Sequence, residues 1–127
     1  MIVDASAVLA VLVREPEATD FMRAFAAESE HSISPVNYLE ACMRLMKRDE
    51  DVASVDELMA LSNIRLADVT ADQTYLARQA YARFGKGNHE ARLNLGDCFA
   101  YALAKARGEP LLFKGDDFRK TDVEAAL

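Results

Sequence analysis

The sequence predicts an α/β fold built around a small, mostly parallel sheet, and two observations carry that expectation. Four short runs of strand character, Ile2-Val3, the neighbourhood of Ile33, Ile64-Arg65-Leu66 and Leu111-Leu112-Phe113, alternate with longer segments whose apolar residues recur at helical spacing. Such alternation is the mark of parallel strands joined by helices. The last run is apolar at every position, as expected of a parallel strand buried on both faces.

The first strand, Ile2-Val3, stops at Asp4, and Ser6 is positioned to cap a first helix carrying Val8, Leu9 and Leu12. Pro16 suits the opening of a second helix through about Ser29, with Ala18, Phe21 and Phe25 at helical spacing. After Ile33, Ser34-Pro35 joins a capping hydroxyl to a first-turn proline and predicts a third helix to about Lys47. Val52, Val55, Leu58, Met59 and Leu61 predict a fourth helix within residues 51–64, and the strand at Ile64 leads to a fifth from about Ala71 to Phe84. Two glycines and Asn88 break the periodicity between Gly85 and Arg92, which reads as a loop. Asn94 can cap a sixth helix to Arg107, with Gly108 placed to end it, and Pro110 introduces the last strand. No repeat, low-complexity stretch or linker interrupts the 127 residues, a length that fits one domain over residues 1–127.

Composition excludes several function classes. With 51% hydrophobic and 28% charged residues, the chain is neither disordered nor collagen-like. The longest unbroken apolar run, Ala7 to Val13, is far shorter than the roughly 20 residues a bilayer crossing needs, so no membrane partner is expected. The opening Met-Ile-Val-Asp has no basic n-region and no small-residue cleavage site, and a cytoplasmic protein is expected. Cys42 and Cys98 are too few for a disulfide scaffold or a four-cysteine metal site and read as small buried residues. His31 and His89, the only histidines, make neither a hydrolase triad nor a zinc site compelling. The net charge of −6 argues against a protein that coats nucleic acid. It leaves room for an enzyme that meets phosphates through metal ions held by carboxylates.

The placement of the acids therefore matters. Ligands of open parallel sheets sit at the carboxyl ends of the strands. Asp4 lies at one such end, and Asp116 and Asp117 follow the last strand across Lys114-Gly115. Asp97 falls in the first turn of the helix capped by Asn94, where the helix dipole favours a carboxylate, and Gly96 beside it permits close backbone approach. Glu40 shares a face of the third helix with Asn37 and Arg44. Each also has an ordinary structural reading: Asp4 as a cap, Asp97 as a dipole-complementing acid, Glu40 with Arg44 as a surface pair. The strand-end rule, which collects several acids at one sheet edge, favours a shared acidic site.

Met1-Ile-Val-Asp4-Ala-Ser6-Ala-Val-Leu, Glu40 in the third helix, Leu93-Asn-Leu-Gly-Asp97-Cys-Phe-Ala-Tyr-Ala-Leu-Ala and Leu111-Leu-Phe-Lys-Gly-Asp116-Asp117-Phe118 together resemble a PIN domain, most closely the VapC toxins of bacterial toxin–antitoxin pairs. The resemblance runs through essentially the whole chain, and Gly85 to Asp122 is its most specific part. It implies a three-layer α/β/α fold with a small, mostly parallel central sheet. It also implies a metal-dependent endoribonuclease, usually a homodimer, that is neutralised by a VapB-type antitoxin. Position by position, the family's first three acids fall on Asp4, Glu40 and Asp97. The fourth falls on Asp117, with Asp116 as the substitute for an earlier acid whose place Gly115 occupies. Ser6 matches the small hydroxyl residue that follows the first acid.

On that reading Asp4 and Asp97 are the principal ligands of Mg²⁺ or Mn²⁺, and Glu40 is a ligand or the base that orients the attacking water. Asp117 or Asp116 is then a second-metal or water-mediated ligand. Mg²⁺ takes hard oxygen ligands and keeps waters, so a few carboxylates suffice. Lys86 and Arg92 belong to a locally basic stretch, Gln73 to Gly96, whose only acid is Glu90; they are the expected RNA-phosphate contacts. A haloacid dehalogenase-like phosphotransferase requires a second aspartate where Ser6 stands. The remaining competitor is a catalytically weak PIN-like module that binds protein or RNA without cutting it.

Overall fold

In the computed structural model, which describes residues 1–127, the chain runs β1 (Ile2–Val3), α1 (Ala5–Leu12), α2 (Ala18–Ala27), β2 (His31–Ile33), α3 (Pro35–Met46), α4 (Ala53–Leu61), β3 (Ile64–Leu66), α5 (Ala71–Phe84), α6 (Leu95–Arg107) and β4 (Leu111–Leu112), then a 3₁₀ turn at Phe118–Lys120. The strands lie in the order β3-β2-β1-β4 and every pairing is parallel. Ile2 stands opposite Leu111 and Val3 opposite Leu112. Successive strand residues point to opposite faces, and the packing follows that alternation. Val3 and Leu112 pack with the apolar faces of α1 to α4 on one side, while Ile2 and Leu111 pack with α5 and α6 on the other. The result is a three-layer α/β/α arrangement with apolar material on both faces of the sheet.

Local chemistry explains most element boundaries. Ser34 Oγ accepts from Val36 N at 3.3 Å with Pro35 in the first turn of α3. Asn94 and Asp97 form a reciprocal capping box at the start of α6, and Gly108 ends that helix at φ 63°, in the left-handed region glycine tolerates. Two boundaries differ from the sequence expectation. Asp4, not Ser6, caps α1, because its carboxylate accepts from Ser6 N at 2.9 Å and the helix starts at Ala5. The second helix begins at Ala18 and ends at Ala27, while Pro16 sits in the preceding turn.

The outer edge of β4 is covered by the chain's last residues. Leu111 N donates to Glu124 O at 2.8 Å and Ala126 N to Leu111 O at 2.9 Å. Tyr101 Oη on α6 donates to Asp122 Oδ1 at 2.6 Å and anchors that segment. No helix is long and apolar enough to cross a membrane.

Candidate active site

The order β3-β2-β1-β4 makes the carboxyl ends of β1 and β4 a switch point, because the chain leaves β1 towards β2 and returns later on the other side to form β4. Asp4 directly follows β1 and Asp117 lies in the loop after β4. The N-terminus of α6 brings Asp97 and α3 brings Glu40. These four carboxylates line one cavity of about 180 Å³, together with Ser6, Arg44, Asn94 and Lys114.

Each side chain is held by identifiable contacts. Asp4 is buried; its Oδ2 accepts from Ser6 N at 2.9 Å and from Ser6 Oγ at 2.5 Å, and its Oδ1 accepts from Asn37 Nδ2 at 3.3 Å. Asn37, fully buried, also donates to Gly96 O at 3.0 Å, so it clips α3 to the start of α6 beside Asp4. Glu40 lies close against α6 at Gly96. A Cβ there would overlap Glu40 Oε2 and sit 3.1 Å from Glu40 Cδ. Asp97 Oδ2 accepts from Asn94 N at 3.0 Å, which fixes its rotamer through the capping box. Arg44 Nη2 stands 3.9 Å from Glu40 Oε1.

Burial and like charge act together on these groups. Burial pushes Asp4 above the usual carboxylate range, against the pull of its Ser6 hydrogen bonds. Glu40 is raised by burial and then by the charge of Asp4, with Arg44 opposing. Asp97 is pushed up to about 7, first by burial and then by the charges of Asp4, Glu40 and Asp117, while its bond from Asn94 N opposes the rise. Three carboxyls held above their ordinary range, two of them partly by neighbouring acids, form a site suited to a cation.

The donor set fits a hard divalent ion. It consists of carboxylate oxygens, and Asn37, which donates to Asp4 through Nδ2, has a buried Oδ1 with no hydrogen-bond partner. No three acidic, histidine or cysteine side chains converge tightly enough to enclose an ion unaided. Mg²⁺ keeps several waters and needs only one or two carboxylates directly, so the chemistry of the oxygen donors, not a closed cage, is what fits it.

Of the residues expected from sequence, Asp4, Ser6, Glu40, Asp97 and Asp117 are brought together. Asp116 is exposed and does not line the cavity. Lys86 lines a separate apolar groove between α5 and α6, and Arg92 is exposed on its loop at φ 55°; neither borders the acids. His89 is a loop residue whose Nδ1 accepts from Ala91 N at 3.0 Å, and His31 is buried away from the site. Both cysteines are buried and free. Sequence reasoning did not single out Asn37, Arg44, Asn94 and Lys114 as site residues. The only signals for the first two were their positions three before and four after Glu40 on one helix face.

An open parallel sheet that gathers acids from four separate segments at its switch point fits a PIN-like three-layer α/β/α protein. The PIN domain family pattern matches residues 1–124. Ribonuclease VapC of Mycolicibacterium smegmatis is 44% identical over 127 residues, covering 98% of each chain. Ribonuclease VapC42 of Mycobacterium tuberculosis is 44% identical over 129 residues, covering 99% of this chain and 98% of its own. The chain therefore belongs to the PIN-domain family, among the VapC ribonucleases. The same fold occurs in Mycobacterium tuberculosis VapC20, a sarcin-ricin loop cleaving toxin, with a TM-score of 0.74 at 19% identity, covering 96% of this chain and 95% of that one. A toxin–antitoxin complex from Klebsiella pneumoniae supplies a second likeness, with a TM-score of 0.71 at 17% identity and coverage of 95% and 92%.

Proposed function

We propose that this protein is the toxin of a toxin–antitoxin pair, a Mg²⁺- or Mn²⁺-dependent endoribonuclease that hydrolyses RNA phosphodiesters. The observation that carries the reading is the convergence of Asp4, Glu40, Asp97 and Asp117 in one small cavity at the sheet's switch point. Asp4 and Asp97 would hold the ion, with Asp117 as a further or water-mediated ligand. A bound divalent ion supplies an acidified water and neutralises charge that builds on the phosphoryl oxygens.

The chain's own residues do the positioning. Ser6 and Asn37 fix both oxygens of Asp4. The capping box fixes Asp97. Glu40, raised by burial and by Asp4, is suited to orient the attacking water and accept its proton. Arg44 and Lys114 border the acids and offset the repulsion a phosphate would otherwise meet.

The partners of this reading are RNA as substrate, a VapB-type antitoxin, and a second copy of the chain in a homodimer, all in the cytoplasm. Leu39, Met43 and Met46 leave an exposed apolar stripe along α3, with Leu95 exposed at the start of α6. That is surface a protein partner would cover.

The test is incubation of the purified protein with total cellular RNA and Mn²⁺ or Mg²⁺, beside a chelator control and an identically prepared Asp97→Asn variant. Discrete cuts made by the wild type alone, and abolished by chelation, are expected. Metal binding with no cleavage difference between the two proteins would favour an inert PIN-like binding module.

A further inference from the structure

Beside the acid cavity lies a second one of opposite character. It has a volume of about 570 Å³, and its walls carry Arg44, Lys47, Arg48 and Lys114 against a single acid, Glu15. Four cations around one opening are unexpected in a protein of net charge −6. Residues 44, 47 and 48 share one face at the end of α3, and Lys114 reaches the same space from the loop after β4.

The two cavities are joined. Ser6, Leu9, Arg44 and Lys114 line both. The junction is also bonded: Lys114 N donates to Ser6 Oγ at 3.0 Å, and Ser6 Oγ donates to Asp4 Oδ2. A polyanion that offers one phosphate to the carboxylates thus has a cationic channel directly beside them.

We propose that this groove is the track for the RNA backbone flanking the cut, with Arg44, Lys47, Arg48 and Lys114 holding its phosphates. The proposal rests on the ribonuclease reading and adds where the substrate runs. A cavity lined by carboxylates repels a phosphodiester chain, so a charged grip must lie close by, and this is the cationic surface continuous with the acids.

The existing ion pairs leave the cations available. Arg48 Nε is 3.0 Å from Glu50 Oε1, with both partners exposed. Lys114 pairs with Glu15 and, at 3.6 Å, with Glu17. Partly exposed pairs of this kind are worth about 1 kcal/mol or less, so exchange for phosphate is cheap. Lys47 has no carboxylate within salt-bridge distance.

The test uses the full chain carrying Asp97→Asn, so that RNA is held without being cut, and a fluorescein-labelled oligouridylate as probe. Affinity is read by anisotropy across a salt series. Adding Lys47→Ala with Arg48→Ala, both exposed, is expected to weaken binding several-fold at low salt. It should also flatten the slope of log K against log salt by about 1.4, since each single-strand phosphate contact contributes about 0.7. Lys86→Ala with Arg92→Ala should change the slope less, because neither residue borders the cavities. Unchanged affinity and slope in the first pair overturn the groove, even where the wild type still cuts total RNA. The groove is equally overturned if that pair loses affinity for polyglutamate but not for the oligouridylate, which would assign the surface to an acidic protein segment. A wild type that neither binds oligouridylate nor cuts total RNA refutes the ribonuclease reading itself.

Discussion

Asp97→Asn should make the metal-free protein more stable at neutral and alkaline pH, although it removes a residue the site needs. Burial and the charges of Asp4, Glu40 and Asp117 push the Asp97 carboxyl from its ordinary 3.8 up to about 7. A raised carboxyl means that the folded chain holds a proton the unfolded chain has already released between these values. Stability therefore falls as pH rises from about 4 to about 7, and the full penalty remains above that window. At about 1.4 kcal/mol per tenfold change in proton affinity, the upper bound is about 4 kcal/mol. Solvent reaches Asp97 through the cavity, and screening leaves about 2 kcal/mol. Asparagine has nearly the same shape and keeps an oxygen to accept from Asn94 N, so the capping box survives. For a chain of this size about 2 kcal/mol corresponds to a rise of about 8 °C in Tm. The assay is thermal melting of both proteins with chelator, near pH 8 and near pH 4.5. The variant should melt higher near pH 8 and together with the wild type near pH 4.5. Mn²⁺ should then raise the wild type by about 2.7 kcal/mol at a hundredfold excess over Kd, and the variant by much less. Equal melting near pH 8, or a difference that does not depend on pH, would refute the reasoning.

Other substitutions separate positioning from folding. Gly96→Ala should leave stability unchanged or raised by up to about 1 kcal/mol, since alanine is the better helix former. The same change should cut RNA cleavage by about 10²-fold because the new Cβ displaces the Glu40 carboxylate; urea melts and initial rates check the two together. Asn37→Ala removes the clip between Asp4 and the Gly96 carbonyl and should destabilise by about 2 kcal/mol in urea unfolding. Ser6→Ala takes away a hydroxyl donor that favours ionised Asp4. Its pH–rate profile should therefore show the acid limb moved to higher pH, with Mn²⁺ affinity lowered roughly tenfold.

The parts of this molecule that were legible in the sequence are those set by local chemistry. Ser34-Pro35, Asn94 with Asp97, and Gly108 announce helix ends through groups only a few residues apart, and the structure shows the corresponding caps. Asp4 and Asp97 were legible as candidates because a strand end and a helix first turn place them without knowledge of the packing. The choice between Asp4 and Ser6 as cap was not legible, since both can accept from a nearby N–H. Only the backbone after β1 shows that Asp4 does so. Asn37 was hidden because its partners are the side chain of Asp4 and the carbonyl of Gly96, 33 and 59 residues away. Adjacent acids in a turn look alike in sequence. Gly115 at φ 96° turns the loop so that Asp117 lines the cavity and Asp116 does not. The basic stretch around Lys86 and Arg92 lies apart from the acid cavity, a separation that a charge count along the chain does not reveal. The cations beside the acids, Arg44 and Lys114, come from segments 70 residues apart in sequence. The covering of β4 by residues 124–126 carried no periodic signal at all.

The central claim, that four carboxylates from four segments act as one RNA-cutting site, is tested most directly by initial cleavage rates of five single variants. Asp4→Asn, Glu40→Gln, Asp97→Asn, Asp117→Asn and Asp116→Asn would be assayed on the same RNA at saturating Mn²⁺ with folding verified by circular dichroism. The account predicts losses of about 10²-fold or more for the first four and near wild-type cleavage for Asp116→Asn. Cleavage that survives in Asp4→Asn and Asp97→Asn, or that is lost in Asp116→Asn but not in Asp117→Asn, would contradict it.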